Sequence, residues 1–241
     1  MRVARRSDDC LARAGRWALL GGLVALVLAF TACAQGHTAQ AKKVSPVVLA
    51  LLALAPADLG GAYTITADQY VDDDGHPVAQ PTHEFERRLA LKAPPSGAAT
   101  AVASNILITL GQKTSEEAAE FVTAADDEDV GPANVEDDLQ AEVADARDIH
   151  ATLLQDFDTL GDDSAAFQLS WTQGSGDAER TWHSYRVYVH VGSYLALVAL
   201  RAASAPGGAE PEGLRKQAEA LAKAQTSKLQ AGAPPLLAPA H

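Results

Sequence analysis

Cysteine is nearly missing from this chain: of 241 residues only Cys10 and Cys33 carry a thiol, and both lie near the N-terminus. That scarcity argues against a disulfide framework and against a thiolate metal centre, so the folded part has to stabilise itself by ordinary core burial. Basic residues are also short, 19 Lys and Arg against 31 Asp and Glu, for a net charge of −12. Segment 1–32 carries five arginines against Asp8 and Asp9, and its removal would take the remainder to −15. So acidic a chain is a poor partner for nucleic acid, whose phosphates need Lys/Arg patches. It is equally unsuited to polybasic docking on anionic lipid, and its surface reads as that of a protein kept soluble outside the cell.

Reaction motifs are absent too. The seven histidines show no pair at the i, i+4 spacing of a helical metal site, Ser175 and Ser193 follow glycines without completing G-x-S-x-G, and no Gly-rich phosphate loop occurs. Asp72-Asp73-Asp74-Gly75 has Tyr70 and Pro81 where a calcium loop needs oxygen ligands, and Asp156, Asp158, Asp162 and Asp163 surround Gly161 with Leu160 in a ligand position. Both read as solvated turns. The expectation is a protein that is not an enzyme and uses no cofactor.

What is present begins with an address. Arg2, Arg5, Arg6, Arg13 and Arg16 form a cationic start, Trp17 to Phe30 an apolar core, and Thr31-Ala32 a small-residue step. Phe30-Thr31-Ala32-Cys33 resembles the lipobox of bacterial lipoproteins, with Phe30 where the pattern prefers Leu, Val or Ile. The resemblance implies that segment 1–32 is removed and that Cys33 becomes a diacylglyceryl-modified first residue, whose two chains give lasting attachment. The protein would then sit at the outer face of the cytoplasmic membrane. A cleaved secretory signal without lipid and an uncleaved N-terminal anchor are the alternatives, the latter disfavoured because spanning takes roughly 20 apolar residues. Each puts the arginines inside and the domain outside.

Residues 33–45 read as a flexible tether, and 46–230 as one α+β domain, with 231–241 a disordered Ala/Pro-rich tail. Val47 to Ala55 is an apolar run too short to span a bilayer, expected as a buried helix or first core segment. An extended piece covers Tyr63 to Thr66, and Asp68 to Thr82 reads as loop. Strands are predicted from His83 to Leu91, where Phe85, Arg87, Leu89 and Leu91 share a face, and from Ala99 to Leu110, the two forming a hairpin across Pro94-Pro95-Ser96-Gly97. Thr114-Ser115-Glu116-Glu117 starts a helix from about Ser115 to Ala125. The spacing of Val135, Leu139, Val143 and Ala146 predicts a second. Ile149 to Phe157 reads as a strand.

The clearest pattern is an antiparallel meander: Ala165 to Thr172, Thr181 to Val191 and Tyr194 to Arg201, separated by Gly-containing turns. Alternation places His183, Tyr185, Val187 and Val189 on one face of the middle strand and Trp182, Arg186, Tyr188 and His190 on the other. Both faces therefore read as partly covered. A last helix spans Glu212 to Leu229, and the fold class is α+β, an antiparallel sheet of hairpin plus meander covered by helices.

The order of these elements, with Ser115-Glu116-Glu117-Ala118-Ala119, Leu160-Gly161-Asp162-Asp163-Ser164 and Tyr188-Val189-His190-Val191-Gly192-Ser193-Tyr194, is similar to the PsbP/Mog-like lipoproteins and to the extracytoplasmic sensor domains of receptor Ser/Thr kinases. The resemblance spans roughly 51–229 and implies a cradle for a small, often apolar ligand between sheet and helices. The chain lacks the paired cysteines of the kinase sensor domains. From the residues themselves, Trp171, Trp182, Tyr185, Arg186, Tyr188 and Tyr194 are the candidate ligand-binding set, aromatic walls with Arg186 as the polar anchor; core packing with cross-strand aromatic pairing is the competing reading. The expected function is a membrane-anchored, non-catalytic ligand-binding or sensing lipoprotein. An interaction module of a cell-envelope complex is the alternative, and a secreted enzyme a second.

Overall fold

Alternation of apolar side chains builds most of this molecule. The computed structural model describes residues 47–72, 75–92 and 105–232, with side chains from Leu49 onward. The leader 1–32, Cys33, the tether 33–45, the break at Pro94 to Gly97, the predicted strand start at 99–104 and tail residues 233–241 lie outside the described residues. The elements are α1 (Val47–Leu52), a 3-10 turn (Pro56–Leu59), β1 (Tyr63–Val71), β2 (Pro77–Val78), β3 (Glu84–Leu91), β4 (Asn105–Gln112), α2 (Ser115–Ala125), α3 (Gly131–Glu142), β5 (Arg147–Leu153), β6 (Asp163–Gln173), a second 3-10 turn (Gly176–Ala178), β7 (Arg180–Val191), β8 (Tyr194–Ser204) and α4 (Leu214–Gly232).

Eight strands form one antiparallel sheet in the order β2-β1-β3-β4-β8-β7-β6-β5. The predicted hairpin is β3–β4 and the predicted meander β6–β7–β8. The seam between them is β4 against β8, in a register that sets Leu107 opposite Ala199 and Ile108 opposite Val198. From β4 the chain crosses one face through α2 and α3, reaches the far edge as β5, and returns through the meander.

Each face of the sheet carries its own core. On one side Ile106, Ile108, Leu110, Val187, Val189, Val198 and Leu200 pack with Leu214, Ala218, Leu221, Ala222 and Leu229 of α4 and with Leu49 and Leu52 of α1. On the other, Phe167, Leu169, Trp171, Tyr188 and Leu195 pack with Ala118 and Val122 of α2 and Val135 and Leu139 of α3. Two covered faces explain why β7 is buried continuously from His183 to Val191.

Arg87 lies among apolar residues on one face of β3, and α1 explains why. Its guanidinium donates to the backbone carbonyls of Ala50, Ala53 and Leu54 at the end of that helix and to both carboxylate oxygens of Asp68. Those carbonyls have no partner within the helix, so a buried cation there satisfies them. Gln225 of α4 clamps the same segment, accepting from the Leu54 amide and donating to the Leu52 carbonyl.

Several boundaries differ from expectation. Strand β1 continues to Val71 where a loop was expected, because a bulge between Ile65 and Ala67 shifts its phase and breaks the alternation. The following loop holds the two-residue β2, and Thr82 ties it down through a 2.6 Å hydrogen bond to the Val71 carbonyl. Helix α3 stops at Glu142; Val143 is extended, yet it and Ala146 stay buried in the same cluster. Strand β5 ends at Leu153, short of Phe157. At the C-terminus, Ala231 and Gly232 belong to α4 and not to the tail. Helix α2 spans the predicted residues, with Thr114 and Glu117 forming a reciprocal capping box. Gly131 opens α3 where a Cβ would collide with the Ala125 carbonyl oxygen and touch the Phe167 ring, so only glycine permits the tight α2–α3 corner.

Candidate functional site

The face of β3 turned toward α2 and α3 is polar, carrying Glu84, Glu86 and Arg88, whereas β6 and β7 offer Phe167, Leu169 and Tyr188 on that side. The helices settle accordingly: α2 packs on β6, β7 and β8, and α3 on β5. A cleft of about 150 Å³ remains between the helix pair and the β3–β4 side. Its apolar lining includes Leu107, Phe121, Val135, Tyr188, Leu195 and Leu197, and its charged groups are Glu84, Glu86, Arg88, Lys113, Asp138, Glu142 and Arg186. Tyr188 anchors the floor, with its ring 5.5 Å from Phe121 and edge-on to Phe167 at 6.1 Å. Burial raises its phenol above the ordinary value.

At the inner end, Glu142 closes α3 between two arginines of the sheet. It accepts from Arg186 Nη2 at 2.8 Å and from Arg201 Nη2 at 2.6 Å, with the Arg186 side chain only 3 % exposed. Register explains the meeting: Ser184 lies opposite Arg201, so Arg186, two residues on, is its diagonal neighbour. Burial pulls Arg201 below the ordinary arginine value and the carboxylate of Glu142 opposes that pull. On the outer strand, Arg88 donates to Glu86 at 2.7 Å, which raises it.

A second cavity, about 410 Å³, adjoins the first; Arg88, Leu107 and Glu142 line both. Its far wall is Trp171 and Trp182, paired across β6 and β7 and stacked 5.9 Å apart at 8°. The Arg201 guanidinium lies 5.9 Å from the Trp171 ring. Here the rings form a continuous aromatic and cationic surface.

Of the six residues read from the sequence, Trp171, Trp182, Arg186 and Tyr188 share this side of the sheet. Strand alternation sends Tyr185 and Tyr194 to the other side, beneath α4. There the Tyr185 hydroxyl donates to Glu210 at 2.9 Å, with its phenol raised chiefly by burial, and Tyr194 is 1 % exposed in the core. The space between α4 and the meander is filled by Leu214, Ala218, Leu221 and Ala222. The first cleft lies under α2 and α3, and the second cavity lies at the end of α3.

Glu142, Arg201, Arg88, Leu107 and Phe121 escaped the sequence reading. Arg201 left one trace, a charge within an otherwise apolar strand, which demands a buried counter-charge. Its partner is 59 residues away and carried no local signal.

The acidic clusters resolve into separate anchors. Asp72 accepts the His76 amide in a turn, Asp162 accepts the Gly192 amide at 2.7 Å, and Asp156 and Asp158 pair with Arg215 and Lys223 of α4. Among the described residues no three His, Cys, Asp or Glu side chains converge on a metal position, and no helix is long and apolar enough to cross a membrane. Large exposed apolar side chains, Leu51, Ile65 and Val130, sit on three different segments.

No protein-family model matches this chain, and no curated protein does. A solved structure, that of LpqN involved in cell envelope biogenesis of Mycobacterium tuberculosis, aligns with 68 % of this chain and 81 % of its own. The identity is 15 % and the TM-score 0.27, a weak likeness that carries no functional weight.

Proposed function

We propose that this chain is an exported lipoprotein, fastened through Cys33 to the outer face of the cytoplasmic membrane, whose α+β domain binds a small ligand with an apolar body and performs no chemistry on it. One observation carries the binding reading: a cleft with an apolar floor lies between the α2–α3 pair and strands β4 and β8, with a buried arginine in its wall. A space of about 150 Å³ takes an apolar group the size of benzene or a short alkyl chain. Sites of this kind combine an apolar lining with a few placed polar groups. The anchor rests on the leader and on the run Phe30 to Cys33.

Native mass spectrometry and thermal unfolding of the full chain in lipid nanodiscs test the binding. A co-purifying amphiphile, or a rise in unfolding temperature with eight-carbon probes, is the expected result. No adduct and no shift across alcohol, acid and amine probes overturns the reading. For the anchor, labelling with an alkyne fatty acid should mark the wild type and not Cys33→Ala; full-length unlabelled protein in the cytosol would refute it.

A further inference from the structure

Four buried polar atoms on this side of the sheet have no hydrogen-bond partner among the described residues: Trp171 Nε1, Ser184 Oγ, Arg186 Nε and Arg201 Nε. Trp171, Ser184 and Arg186 are at least nine-tenths buried. Three of the four atoms can only donate, and the hydroxyl can donate as well. Buried donors are rarely left unanswered, so this cluster points to an acceptor that comes from outside the chain.

Charge agrees. Arg186 and Arg201 share the single carboxylate of Glu142, and Arg88 is paired with Glu86. The charged lining of the Trp171 cavity is Arg88, Arg201 and Glu142, two guanidiniums to one carboxylate. The neighbouring cleft has Glu84 and Asp138 in addition, with Lys113, and its apolar floor suits a hydrocarbon better than an anion. Leu107 lies on the boundary of both spaces.

We infer that the ligand is an anionic amphiphile: an acceptor-only headgroup, carboxylate or phosphate, occupies the cavity walled by Trp171 and Arg201, and its apolar body passes Leu107 into the cleft under α2 and α3. This rests on the binding reading above and adds the chemical class and orientation of the ligand. The headgroup supplies acceptors to Trp171 and Arg201, the two orphan donors whose residues line this cavity, and complements its two guanidiniums through charge-assisted hydrogen bonds.

Isothermal titration of the full chain in nanodiscs with octanoate, octyl phosphate, 1-octanol and octyltrimethylammonium tests it, empty nanodiscs supplying the partitioning baseline. Octanoate, octyl phosphate or both should bind about tenfold more tightly than octanol, the difference between a charged and a neutral hydrogen-bonded group. Which anion leads identifies the headgroup. The anion-to-alcohol ratio should fall toward one in Arg201→Gln and in Trp171→Phe; should either variant misfold, Arg88→Gln, in the lining of the same cavity, provides the same comparison. Equal affinity for anion and alcohol, or preference for the ammonium, overturns the inference while the apolar cleft survives. Failure of all four probes to bind removes both.

Discussion

Replacing Glu142 by glutamine probes the hinge between the α3 helix and the sheet. The carboxylate holds Arg186 and Arg201 at 2.8 and 2.6 Å, and side-chain exposures are 3 % for Arg186, 16 % for Arg201 and 13 % for Glu142. Glutamine keeps the volume and one acceptor oxygen but cancels the charge, leaving two guanidiniums near one another in a poorly solvated site. Removing one partner of a buried ion pair costs about 3–5 kcal/mol. The partial opening toward solvent favours the lower end, about 3 kcal/mol, a large share of the roughly 5–15 kcal/mol that keeps a domain folded. For a domain of this size that loss lowers Tm by about 6–12 °C. Urea unfolding followed by far-ultraviolet circular dichroism measures it. A change under 1 kcal/mol would show that Glu142 is not what neutralises the arginines. A triple variant, Glu142→Leu with Arg186→Met and Arg201→Met, separates charge from packing: with no charges left to desolvate it should return to within about 1 kcal/mol of wild type. If it is as unstable as Glu142→Gln, the cost arises from repacking and the electrostatic argument fails.

Two further outcomes follow from local geometry. Arg87→Leu removes a donor from the carbonyls of Ala50, Ala53 and Leu54 and from the Asp68 carboxylate, Ala53 keeping Lys228 as a second donor, so stability should drop by roughly 2–4 kcal/mol and the Leu54 amide should lose protection from hydrogen exchange; unchanged protection would contradict the clamp. Glu117 is held below the ordinary carboxylate value, first by its hydrogen bond from the Thr114 amide and then by that from the Thr114 hydroxyl. A lowered folded value means that its contribution is whole above the unfolded value of about 4.3 and disappears as pH falls through the lower folded value. After correction for intrinsic rates, exchange at the first turn of α2 should therefore accelerate between pH 5 and pH 3 in the wild type and remain insensitive in Glu117→Gln; identical behaviour of the two proteins would rule out the cap.

How far the chain could be read without its structure depended on the range of the interaction involved. The capping box of Thr114 and Glu117 spans three residues, so the start of α2 was visible, and the meander announced itself through alternation and glycine turns. Strand β1 was half hidden because its bulge inverted the alternation after Ile65. At the site, Trp171, Trp182, Arg186 and Tyr188 were found because aromatics and an arginine in a strand attract attention. Tyr185 and Tyr194 were grouped with them by residue type alone, although the alternation of β7 already set Tyr185 on the opposite face; which helix covers each face is not written in that alternation.

By itself the sequence determined the α+β class, the arginine-rich leader ending at Cys33 as a motif, the hairpin, the meander and three of the helices, since each is written in periodicities a few residues long. Tertiary structure decided that β4 meets β8, that a cleft stays open under α2 and α3, and that Glu142 reaches Arg186 and Arg201. Those outcomes pair residues 44 to 96 positions apart. Contacts at such separations are selected by the cooperative fit of whole faces, and no short stretch of chain encodes them.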